Sequence, residues 1–85
     1  MTIMLRNQIV ESISKELDRA YSKHGRESWG RHEFYAILLE EVDELWDETK
    51  KGGTIPFDED AHRKEIIQVA SMCFRYLETG DRYSK

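Results

Sequence analysis

One cysteine, one proline and five glycines are all that this 85-residue chain holds of the residues that staple, break or bend a backbone. The single cysteine, Cys73, closes no internal disulfide, and no Cys/His array has zinc-finger spacing. A reducing, cytoplasmic setting is expected. No apolar run approaches the roughly 20 residues that span a bilayer. Arg6 and Asn7 interrupt the N-terminal stretch where the hydrophobic region of a leader would have to continue, so no leader is expected. Basic residues are also in deficit, 13 Lys and Arg against 17 Asp and Glu, for a net charge of −4. That balance argues against direct nucleic-acid binding, whose affinity comes mainly from phosphate neutralisation. The chain is short enough to form one domain, residues 1–85, with a thin core, and further copies of itself are the expected source of extra packing.

What is present is helical periodicity. Gly25, Gly30, Gly52-Gly53, Pro56 and Gly80 divide the chain into three segments free of both breakers. From about Thr2 to His24, Leu5, Ile9, Ile13, Leu17 and Tyr21 recur at steps of four, and Lys23, His24 and Gly25 form a fitting C-terminal end. From about Arg31 to Lys51, Phe34, Leu38, Val42, Leu45 and Trp46 share a face. A loop through Ile55, Pro56 and Phe57 leads to a third helix, with Asp58 or Asp60 as its N-cap and its end near Glu78. Period-two alternation is absent, so the predicted fold class is all-α with three main helices.

On the third helix Ile66, Ile67, Val69, Ala70, Met72, Cys73, Phe74, Tyr76 and Leu77 cover well over half the circumference. Lys64, Gln68, Ser71, Arg75 and Glu78 form the remaining polar strip. A helix apolar around that much of its surface packs on more than one side. The expectation is a helix bundle shared between subunits, dimeric or tetrameric.

Residues 40 to 48 place six acids in nine positions with no base among them. Like charges three or four apart on a helix repel by roughly 0.2–0.5 kcal/mol per pair, so such a run calls for a cation. The bland alternative is a solvated acidic face. Helical projection sets Glu41 at the edge of the apolar face, with Glu44 and Glu48 on the same flank, while Asp43 and Asp47 point away. On the third helix Glu65 lies within an apolar arc of Ala61, Val69, Met72 and Tyr76, where an unpaired carboxylate is costly. Carboxylates converging from two helices make a hard, oxygen-rich site suited to Mg²⁺ or Mn²⁺.

Glu40-Glu41-x-x-Glu44, followed after 20 residues by Glu65 in Glu-Ile-Ile-Gln-Val-Ala, resembles the MazG-like, all-α nucleoside triphosphate pyrophosphohydrolases, whose pattern is EExxE, a spacer and ExxD. The string from His32 to Trp46 and the run Gln68-Val69-Ala70-x-Met72 look like small phage and bacterial members. The resemblance covers roughly residues 20 to 78. It implies hydrolysis of a (deoxy)nucleoside triphosphate between the α and β phosphates, with Glu40, Glu41, Glu44, Glu65 and Gln68 at the metal, and Glu41 and Glu44 in catalysis. Glu41 is the first choice for the group that accepts the proton of the attacking water. Gln68 stands where the pattern has Asp; its amide oxygen can ligate Mg²⁺ but brings no charge and cannot act as a base.

A nucleotide needs cations and a base pocket as well. Lys64 and Arg75 share a face with Gln68, Lys51 lies at a helix end, and Trp29 stands between helices, so these four are the candidates for substrate binding. Trp46 reads as core, Cys73 as packing, and Glu59-x-x-His62 as a single di-iron half-motif better explained by an acidic first turn. The functional expectation is a Mg²⁺-dependent pyrophosphohydrolase acting as a homo-oligomer. The alternative is a non-catalytic helical oligomer that binds nucleotide, metal or a protein partner.

Overall fold

In the computed structural model, residues 3–83 are described and form three helices: α1 (Arg6–His24), α2 (Arg31–Thr49) and α3 (Glu59–Thr79). Thr2, the expected start of the first helix, lies outside the described residues. Each boundary has a local cause. Gly25 and Gly80 take φ of 73° and 76°, conformations open to glycine, and their N–H groups close α1 and α3 onto Tyr21 O and Tyr76 O, both at 2.8 Å. Of the two expected N-caps, Asp58 performs the role: its Oδ1 accepts from the N–H of Asp60 at 3.0 Å and of Ala61 at 3.1 Å. The N-terminus of α1 lacks such a side-chain cap, and the Gln8 side chain instead accepts the Leu5 N–H at 2.9 Å.

α3 packs on both other helices, which do not pack on each other, so α1 and α2 flank it with a cleft between them. α2 and α3 run antiparallel: Phe34 stacks on Tyr76 at one end, with ring centroids 4.2 Å apart, and Thr49 meets His62 at the other, 3.1 Å apart. α1 runs parallel to α3, with its Tyr21 hydroxyl donating to Glu78 near both C-termini. After α3 the chain returns to the α1–α2 connection. The Arg82 N–H donates to Trp29 O and its Nε to Ser28 O, both at 2.8 Å. Gly30 lies beneath the Tyr83 ring, where a Cβ would come within 2.6 Å of a ring carbon.

Inside and outside on α3 depart from a simple hydrophobic reading. Two members of the polar strip face inward, Ser71 at 4 % exposure and Arg75 at 8 %, while Lys64 and Glu78 stay exposed and Leu77 is 80 % exposed, with Ile66 and Phe74 also open. On α2, Phe34, Leu38 and Leu45 are half-buried as expected, but Val42 and Trp46 are exposed, so Trp46 is a surface residue and not core. The buried apolar core of the single chain is thin, Ile13 and Leu17 of α1. Among the described residues there is no β-strand, only the isolated bridges Trp29–Asp81 and Gly52–Ile55, and no helix is long and apolar enough to cross a membrane.

Candidate metal centre

Three of the expected carboxylates come together. Glu41 and Glu44 lie one turn apart on α2, and Glu65 reaches them from α3; one oxygen of each falls within 4.8 Å of the others. The i, i+3 spacing aligns the first two on the flank that borders the cleft. Glu65 stands opposite because it shares an arc of α3 with Tyr76, which stacks on Phe34 of α2. Glu41 and Glu65 are half-buried and Glu44 is exposed, so the cluster lies at a rim, open on one side to solvent.

This arrangement is electrostatically uncompensated. Burial, then the charge of Glu44, a hydrogen bond to it and the charge of Glu65, push the Glu41 carboxyl up to about 7. Burial and then Glu44 also raise Glu65, against the opposing pull of Lys64. Glu65 Oε2 is buried and has no hydrogen-bond partner. An orphaned, solvent-shielded carboxylate oxygen beside two further acids is the feature that a bound cation would satisfy, and three hard oxygen donors fit Mg²⁺ or Mn²⁺.

The other expected residues divide. Glu40 is exposed on α2 and is not among the carboxylates that converge, since helix geometry turns it about 100° from Glu41. Gln68 and Glu41 line a cleft of about 420 Å³ between α1, α2 and α3, together with Trp29 and Arg75. Lys51 binds both oxygens of Glu48 at 2.8 Å and does not line the cleft. Lys64 is exposed outside that lining, and its charge acts on Glu65 and Glu16. His62 is turned to Thr49 and to the edge of Phe57, away from any paired half-motif.

α1 contributes what the sequence reading passed over. Glu16 lines the cleft and its charge adds to the upward push on Glu41, while its hydrogen bond to Arg19 holds Glu16 itself below the usual carboxylate range. The signal was its place beside the buried Ile13–Leu17 stripe, one turn before Ala20. Without α1 set against α3, nothing in the one-dimensional pattern distinguished Glu16 from other surface acids. No family model, curated protein or solved structure matches the chain.

Proposed function

We propose that the protein is a metal-dependent nucleoside triphosphate pyrophosphohydrolase, converting a (deoxy)nucleoside triphosphate and water into the monophosphate and pyrophosphate. The observation that carries this reading is the Glu41–Glu44–Glu65 cluster, which contains the unpartnered Glu65 Oε2 and whose Glu41 also lines a cleft of about 420 Å³. Glu41, Glu44 and Glu65 would hold Mg²⁺ or Mn²⁺, and Gln68 lines the cleft with Glu41. A bound divalent ion supplies neutralisation of phosphate oxygens and a more acidic water. The chain's own part is to fix three carboxylates and to provide a proton acceptor. Burial and its acidic neighbours push Glu41 up to about 7 without a metal, so a bound cation would favour its ionised, proton-accepting form. The EExxE resemblance supports the same reaction.

The reading includes a homo-oligomer. Tyr35, Leu39, Val42 and Trp46 on α2, and Ile66, Phe74 and Leu77 on α3, are all exposed. None of these side chains lines the cleft. Large apolar side chains left open in this number mark an interaction surface, and a second copy of the chain is their simplest cover.

Incubation with a panel of ribo- and deoxynucleoside triphosphates in Mg²⁺ or Mn²⁺ is expected to yield monophosphate plus pyrophosphate, with Glu41→Gln lowering kcat by about 100-fold or more. Metal-dependent nucleotide binding without turnover of any nucleotide would favour the non-catalytic oligomer instead.

A further inference from the structure

Arg75 is 8 % exposed, yet no carboxylate lies within ion-pair distance of it among the described residues. Its Nε is buried without an acceptor, and its one hydrogen bond, from Nη2 to Gly25 O, is stretched to 3.5 Å. Five N–H donors therefore have a single weak protein acceptor. Aromatic rings supply the rest of its surroundings: the guanidinium lies 4.4 Å from the Trp29 ring centroid and 5.8 Å from that of Tyr21. A buried lysine or histidine can shed its charge, but a guanidinium cannot, so the structure keeps a shielded cation without a counter-anion.

The cleft that Arg75 lines also carries Glu41, on which Glu44 and Glu65 converge, with Glu16 and Glu27 on its walls. Along α3, Arg75 follows Gln68 by about 10 Å and Glu65 by about 15 Å, and helix geometry tilts its side chain back towards them. A ligand that complements both ends carries cations at one and oxyanions at the other. A base or ribose is uncharged and leaves Arg75 uncompensated. The Trp29 face is moreover already covered by Arg75, with Phe34 stacked beside that ring at 6.3 Å.

We infer that Arg75 is the anion subsite of the cleft, holding the terminal phosphates of a polyphosphate ligand whose metal-bound part lies at Glu41, Glu44 and Glu65. The inference rests on the pyrophosphohydrolase reading, in which those terminal phosphates leave as pyrophosphate. Trp29 is then a support for the arginine and not a stacking platform for the base.

Inorganic pyrophosphate, titrated in EDTA into full-length protein carrying Trp46→Phe so that Trp29 is the one remaining tryptophan of two, tests this. A saturable change in Trp29 fluorescence is expected, with affinity weakened about tenfold or more by Arg75→Gln and largely restored by Arg75→Lys. Lys15→Gln, which removes an exposed cation outside the cleft, should leave this metal-free affinity undiminished. Unchanged pyrophosphate affinity in Arg75→Gln, or no binding by the parent, overturns the subsite. So does the same fluorescence change with an uncharged nucleoside that pyrophosphate displaces. If Arg75→Gln fails to fold by circular dichroism, Arg75→Lys with nuclear magnetic resonance mapping of pyrophosphate onto the residue-75 neighbourhood decides instead, and shifts confined elsewhere overturn it. Arg75-dependent binding without triphosphate turnover would remove the enzymatic reading alone, whereas turnover with Arg75-independent binding would remove the subsite alone.

Discussion

Glu41 concentrates the electrostatics of the molecule, because its carboxyl is desolvated against the helices while Glu44, Glu65 and Glu16 all oppose its charge. The unfolded chain releases this proton near 4.5 and the folded protein near 7. Between those values the folded state holds more protons, so stability falls as pH rises, and the loss is complete above about 7. Glu65 is displaced the same way and adds to the slope. With metal chelated, thermal denaturation is expected to show a decline of about 1–2 kcal/mol from pH 5 to 8, a figure reduced for the solvent that reaches the rim. Glu41→Gln should flatten most of it, and saturating Mg²⁺ should reverse it in the parent but not in the variant. A pH-independent melting temperature in EDTA would contradict the packing of these carboxylates. At this scale much of the centre was readable in advance: Glu41, Glu44 and Glu65 announced themselves by like-charge crowding and by an acid set in an apolar arc. Glu40 did not separate from them on sequence, since adjacency in a motif says nothing about which of two neighbours a facing helix will meet.

The helices owe their limits to identifiable residues, and those limits hold the centre in register. Asp58 satisfies two N–H groups at the first turn of α3, the helix that carries Glu65, Gln68 and Arg75. Asp58→Ala is expected to cost about 1 kcal/mol, seen as a lower midpoint in urea with little change in slope. Fraying of that turn should leave Arg75, some four turns further on, in place. Breaker residues made the elements themselves legible, and α1 and α2 end within two residues of where their glycines and lysines indicated. The direction each helix faces was less legible. The polar strip of α3 reads as an exterior, but Ser71 and Arg75 turn inward because the Ser71 hydroxyl is satisfied by Ile67 O at 2.7 Å and the Arg75 plane by aromatic rings. Periodicity marks that a strip exists without saying which side of it a neighbour occupies.

As a whole, the molecule sets α1 and α2 against α3 with a charged cleft between them, and leaves large apolar side chains of α2 and α3 exposed outside it. Tyr35 at 60 % exposure, Trp46 at 58 % and Leu77 at 80 % leave large apolar surface open to solvent. Light scattering at micromolar concentration is expected to give a dimer or tetramer, and Trp46→Glu combined with Leu77→Glu should shift it to monomer while far-UV circular dichroism stays helical. A monomeric parent would refute the oligomeric reading. Sequence alone determined that the chain is helical, where its three helices stop, and that acids gather on one flank of α2, because backbone propensity, capping and charge spacing act over a few residues. Tertiary structure decided which acids converge, that Glu16 of α1 lines the cleft with Glu41, and that Arg75 is shielded there without an ion-pair partner. Those are distances between residues far apart in the chain, set by how three helices settle against one another, and no local pattern carries them.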